Sequence, residues 1–168
     1  FDAIARAGVY SGVLRKMILA FKNDRTELDL MLGFLAEAAL TGSGFYNEID
    51  LLVPVPIHFS RRLIRGYNQS DLLAKKVKHR SAKISTDLVR IRRTRTQATM
   101  VSPVSRAKNV AGAFSVRRGH GFAGRRVCLI DDIKTTGATL NECAKTLKDA
   151  GAVKVFAIVL AVAGQDIN

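Results

Sequence analysis

The chain has 168 residues, 48% of them hydrophobic, with 27 Lys and Arg against 14 Asp and Glu and a formal net charge of +13. That length suits one domain, residues 1–168, large enough to bury a core. No apolar run reaches transmembrane length and no signal-peptide pattern is present, so a cytoplasmic protein without membrane insertion is expected.

Along the chain, Leu14, Met17, Ile18 and Phe21 fall at helical spacing and mark one amphipathic helix. Leu28, Met31, Leu32, Leu35 and Ala39 mark a second, ended by the turn Thr41-Gly42-Ser43-Gly44. These N-terminal helices are placed within 9–41, ahead of a core spanning 48–168. Ile49 to Val53 reads as a strand. A helix is expected from Gln69 to about Lys78, with Leu72, Leu73, Ala74 and Val77 supplying apolar contacts. Leu88 to Ile91 starts a further strand. Residues 94–110 have no clean period, are rich in Arg, Ser and Thr around Pro103, and read as a mobile loop. Phe114-Ser115-Val116 is expected to resume the sheet, and Gly119 to Gly124 is a glycine-rich turn.

The C-terminal third is the most regular. Val127 to Ile130 is an unbroken apolar run, the mark of a strand covered on both faces. Leu140, Cys143, Ala144 and Leu147 then follow helical spacing, and Gly151 sits where a helix-ending glycine belongs. Val153 to Val162 is a second apolar run. Strand, helix and strand in about thirty residues make a βαβ unit and imply a parallel sheet. Cys128 and Cys143 fall on its strand and on the core face of its helix, and read as buried free thiols.

Ligands of parallel sheets bind beyond the carboxyl ends of the strands, and Asp131 to Thr139 lies at that edge. Asp131 and Asp132 offer acceptors suited to a diol. Gly137 lets backbone come close to a phosphate. Thr135, Thr136 and Thr139 offer hydroxyls beside the free N–H groups of a first helical turn. A sugar phosphate would use all of these together. The stretch is neither a Walker loop nor a Gly-x-Gly-x-x-Gly turn.

Charge is the second signal. Between Pro54 and Asn109 fourteen Lys and Arg face only Asp71 and Asp87. Such a segment either attracts a polyanion or serves as a solvated surface.

At Asp131-Asp132-Ile133-Lys134-Thr135-Thr136-Gly137-Ala138-Thr139 the chain resembles the signature of type I phosphoribosyltransferases that binds 5-phosphoribosyl 1-diphosphate (PRPP). Val53-Pro54-Val55-Pro56 and Arg61-Arg62-Leu63-Ile64-Arg65-Gly66-Tyr67-Asn68-Gln69 resemble the ComF branch (ComFC, GntX-like). Arg90 through Gln97, Arg106, Asn109 and Gly112-Ala113-Phe114 agree with it. The resemblance implies an α/β fold with a central, mainly parallel sheet flanked by helices and a flexible flap at about 94–110. It implies PRPP held by Asp131, Asp132, Lys134, Thr135, Thr136, Gly137, Ala138 and Thr139. The turn Pro56 to Ser60 would lie beside the diphosphate, with His58, Arg65, Tyr67, Asn68 and Gln69 as further ligand candidates. Asn68 and Gln69 also read as a helix cap and its first turn.

Mg²⁺ would be held through PRPP oxygens rather than by side chains alone. ComF-type proteins usually begin with a four-cysteine zinc module. This chain has only Cys128 and Cys143, so no zinc site is expected in it. The branch is associated with competence, the uptake of single-stranded DNA in natural transformation. Arg61, Arg62, Arg92, Arg93, Arg95, Arg106 and Lys108 are the candidates for nucleic-acid contact, and competence proteins are further expected partners. Type I relatives are often dimers, so a homodimer is an expectation. Thr135 stands where purine-salvage relatives often carry an Asp base, which argues against a purine acceptor. Two readings stay open: a Mg²⁺-dependent phosphoribosyltransferase of unknown acceptor, or a non-catalytic PRPP sensor or single-stranded DNA-binding accessory protein.

Overall fold

The computed structural model of the chain describes residues 1–94 and 102–163. Five parallel strands form the central sheet in the order β1-β7-β6-β2-β3. They are β1 (Ala3–Val9), β2 (Leu51–Pro54), β3 (Lys83–Ile84), β6 (Arg126–Lys134) and β7 (Lys154–Val162). The remaining strands, β4 (Leu88–Arg90) and β5 (Phe114–Val116), pair antiparallel as a separate ribbon. The helices are α1 (Gly12–Lys22), α2 (Asp29–Thr41), α3 (Phe59–Arg65), α4 (Gln69–Lys76), α5 (Pro103–Val110) and α6 (Ala138–Asp149).

Strands β6 and β7 are central because their sequences bury both faces. Val127, Cys128, Leu129 and Ile130 are all fully buried, as are Val155 and the run from Ala157 to Ala161. Side chains alternate across a strand. Val127 and Leu129 therefore join Leu140, Cys143 and Leu147 of α6 in one apolar cluster. Cys128 and Ile130 join Ile18 and Phe21 of α1, Leu32 of α2 and Leu73 of α4 in the other. The two thiols lie in different clusters, free and buried, and burial pushes the titration of both upward.

One element has no counterpart in the sequence reading, and three sequence expectations are corrected. Residues 3–9, ahead of the expected helices, form edge strand β1 and join the sheet. The segment lacks a clear apolar alternation, and its pairing with β7, from Ala3 opposite Phe156 to Val9 opposite Val162, decides its state. Asp2 fastens that edge, accepting from Val155 N at 2.7 Å and Lys148 Nζ at 2.6 Å. Phe114–Val116 does not resume the main sheet but pairs with β4. The expected turn at Pro56–Ser60 leads straight into helix α3, where His58 Nδ1 accepts from Ser60 N at 3.2 Å. Within the loop expected over 94–110, residues 103–110 are helical. Ser102 caps that helix with Ser105 in a reciprocal box, and Pro103 fits its first turn. Residues 95–101 of that expected loop lie outside the described residues.

Helices α2 and α4 meet closely through Gly33, where an added Cβ would stand 2.3 Å from Lys76 Cβ. Gly33→Ala is expected to destabilise the protein by about 1–3 kcal/mol through overpacking. Gly44→Ala, with nothing within 4 Å of the new methyl, should stay within about 0.5 kcal/mol of the parent. Urea unfolding of the two variants checks both values.

Candidate functional site

Strand β6 carries the apolar core up to Ile130 and then presents two carboxylates. Alternation places Asp131 on the α6 face and Asp132 on the α1 face. Asp131 Oδ1 accepts from Ser70 Oγ at 3.1 Å and from Asp132 N at 2.9 Å. Burial first, and the neighbouring Asp132 carboxylate second, push Asp131 up to about 7. Lys22, the last residue of α1, meets Asp132 Oδ2 at 2.9 Å. The two charges are thus held by different helices.

After Lys134 the chain turns through exposed Thr135 and Thr136 to Gly137, whose φ of 80° is a left-handed conformation suited to glycine. Helix α6 starts at Ala138, with Ala138 N donating to Thr136 Oγ1 at 3.4 Å. The first-turn N–H groups of a helix have no intrahelical acceptors and carry partial positive charge. Lys134 folds back over this turn, its Cε 3.4 Å from where a Gly137 Cβ would stand. Residues 131 and 133–140 line a concavity of about 20 Å³, room for one compact group at its floor. Of the eight residues proposed for PRPP, Asp131 and Lys134 to Thr139 line this concavity, while Asp132 turns to the α1 side and meets Lys22.

The second expected group divides. Tyr67 Oη donates to Phe21 O at 2.6 Å and accepts from Asp24 N at 3.2 Å, so it fastens the end of α1. Asn68 caps α4, with Oδ1 accepting from Ser70 N at 3.3 Å and Nδ2 donating to Val55 O at 3.1 Å. Gln69 is buried and accepts from Arg65 Nη1 at 2.9 Å. Of the two readings of Asn68 and Gln69, cap and first turn is the one observed. These contacts set where Ser70 stands, and Ser70 is the residue that reaches Asp131.

Several arginines gather beside this edge. Burial, then the charges of Arg65 and Arg93, lower the proton affinity of Arg61, whose Nη2 donates to Thr94 O at 2.8 Å. Arg90 is also lowered, first by burial and then by Arg61, while Asp131 acts in the opposite direction. Its Nη2 meets Thr94 Oγ1, its guanidinium lies 5.1 Å from the Phe114 ring centre, and its buried Nε has no partner among the described residues. Arg92 instead holds the end of α5, donating to Asn109 O at 3.2 Å and Ala111 O at 2.5 Å. Arg62 stands 4.0 Å from Asp71, Arg106 and Lys108 lie on α5, and Arg95 lies outside the described residues. Sequence reasoning missed Lys22, Ser70 and Arg90 as site residues. Lys22 and Ser70 are remote from Asp131 in sequence and carry no local motif, whereas Arg90 stood within the arginine-rich run.

The family model described as the phosphoribosyl transferase domain matches residues 64–167. Competence protein F of Haemophilus influenzae is 32% identical over 162 residues, covering 92% of this chain and 70% of that protein. DNA utilization protein YhgH of Escherichia coli K12 is 36% identical over 108 residues, covering 63% of this chain and 46% of that protein. The chain thus spans only about half the length of the second relative. Among solved structures, glutamine PRPP amidotransferase from B. subtilis, complexed with ADP and GMP, is similar with a TM-score of 0.50 at 20% identity, covering 79% of this chain and 26% of that one. At that identity the likeness concerns the fold, and it agrees with the type I phosphoribosyltransferase arrangement expected from the sequence.

The raised titration of Asp131 has a consequence for stability. Unfolded, the group ionises near its ordinary value of 3.8; folded, it does so near 7. Between these values the folded state binds more protons than the unfolded one, so this group's contribution to stability falls as pH rises. The loss begins near pH 4 and is complete above about pH 7. Asp131→Asn removes it. Urea unfolding from pH 4 to 8 should therefore show the variant gaining on the parent as pH rises to about 7, and a pH-independent difference would assign Asp131 an ordinary pKa.

Proposed function

The chain belongs to the phosphoribosyl transferase domain family, in its ComF branch, and from that premise we propose that it binds PRPP at the end of β6 and serves the uptake or use of DNA. The observation that carries the reading is the placement of paired carboxylates, a left-handed glycine and a helix start within nine residues, 131–139. Asp131 and Asp132 accept hydrogen bonds from the two ribose hydroxyls. Backbone N–H groups from Lys134 to Thr139, with the Thr135, Thr136 and Thr139 hydroxyls, take the 5-phosphate. The diphosphate extends toward His58 and Arg65, into the field of Arg61 and Arg93. Lys22 balances Asp132 and yields its place as a hydroxyl arrives.

Mg²⁺ fits this donor set as a companion of the ligand. Its ligands would come chiefly from PRPP oxygens, since Mg²⁺ keeps few protein ligands. When bound, it supplies positive charge to the diphosphate. In a transfer reaction the bond from C1 to diphosphate oxygen breaks, an acceptor nitrogen bonds to C1, and that nitrogen gives up a proton. The protein's part is to orient the ribose and to stabilise the departing charge with its arginines. Thr135 is exposed and provides no carboxylate base, which favours either a non-purine acceptor or a sensing role without transfer. Competence protein F and the DNA utilization protein are named for DNA-related roles, and the arginine cluster suits backbone contact with a single strand.

Calorimetry with PRPP and Mg²⁺ should show binding that weakens at least about tenfold in Asp131→Asn/Asp132→Asn, a loss of about 1.4 kcal/mol or more. A parent protein that does not bind PRPP overturns the reading. Diphosphate release in a screen of amine and base acceptors separates transfer from sensing.

Affinity for a short single strand should fall steeply between about 50 and 200 mM salt and drop further in Arg61→Glu/Arg93→Glu. Binding insensitive to salt would remove the nucleic-acid role.

A further inference from the structure

At the end of β2, where Pro54 pairs with Ile130, lies a further cleft of about 330 Å³. It runs between the end of β2, the start of α4, and the chain from β3 to β4, and no residue of the turn lines it. Ligand pockets span roughly 300–1,000 Å³, so this one is sized for a single small unit. Its walls are of two kinds. Phe59, Ile84 and Leu88 give apolar surface, with Phe59 68% exposed. Arg62, Lys75, Arg90 and Arg117 supply four cations against one carboxylate, Asp71. Asp71 is fixed by Asn68 Nδ2 at 3.0 Å, which leaves Oδ2 facing Arg62 at 4.0 Å. Arg90 brings the buried Nε that lacks a partner among the described residues.

An anion alone would not need the apolar wall, and an apolar ligand alone would not need four cations. A flat ring carrying a phosphate uses both, and Asp71 can accept from a ring amino group. We propose that this cleft is a second binding site, adjoining the diphosphate side of the proposed PRPP site, for one nucleoside monophosphate unit, free or as part of a single strand. The base lies against Phe59 and Ile84, and the phosphate meets Lys75 and Arg117. The first turn of α4 joins the two sites. Asn68 and Asp71 face the cleft, while Ser70 between them holds Asp131 at 3.1 Å.

The test is calorimetry on the 168-residue chain with the four nucleoside 5′-monophosphates, and separately with pentathymidylate. At least one ligand should bind, and its affinity should fall tenfold or more in Lys75→Glu/Arg117→Glu. Thr86→Trp, which fills the cleft from an exposed position without touching its charges, should cause a similar loss. Unchanged thermal unfolding shows that the variants fold. Excess PRPP with Mg²⁺ should leave the binding in place, so failure here is separate from failure of the PRPP reading. Binding of the monophosphates identifies a free nucleotide as the occupant, and binding of the strand alone identifies a unit of DNA. The proposal is overturned if neither ligand binds, if the variants bind as the parent does, if PRPP displaces the ligand, or if inorganic phosphate binds equally tightly.

Discussion

Two carboxylates on consecutive residues at the mouth of a buried strand repel each other and resist desolvation, and the arrangement of the domain around them follows from how each is held. Alternation along β6 sends them to opposite faces of the sheet. Asp132 is met by Lys22 at the end of α1, and Asp131 by Ser70 at the start of α4. These two helices are themselves tied by Tyr67, whose hydroxyl bonds to Phe21 O one residue before Lys22 and to Asp24 N just beyond it. The geometry at the strand end therefore depends on a tyrosine whose own bonds are to the end of α1. The acidic pair stays charge-balanced on one side and proton-retaining on the other, a state that a diol can relieve by donating to both.

The same balance explains the arginines. Arg61 and Arg90 lose proton affinity mainly through burial, with like charges adding to it. Concentrating such groups beside a strand end is unfavourable unless a polyanion shares the space. A diphosphate or a nucleic-acid backbone would relieve the repulsion. The outlying members of the basic segment have local duties instead: Arg92 closes α5, and Lys76 pairs with Asp29 across α2 and α4 at 3.3 Å. Positive charge in this protein is thus partly scaffold and partly field.

Much of this was legible in the sequence, for identifiable reasons. The βαβ unit from Val127 to Val162 announces itself because burial on both faces leaves continuous apolar runs, and the turn between its strand and helix has chemistry that few other functions need. Edge elements were harder. Residues 3–9 form a strand through pairing with β7 rather than through their own pattern, and residues 103–110 form a helix fixed by its Ser102 cap and Pro103. The partners of the acidic pair were hidden for a different reason. Ser70 and Lys22 are separated from it by 61 and 110 residues and meet it only in three dimensions.

The central claim is that the end of β6 and the turn to α6 form the site of PRPP. The most direct measurement is the change in backbone amide NMR shifts when PRPP and Mg²⁺ are added to the protein. The account requires the largest changes at residues 131–139, with Lys22 and Ser70 following as the carboxylates exchange partners. Changes confined to the cleft beside β2, or spread over the arginine surface without the 131–139 turn, would contradict it.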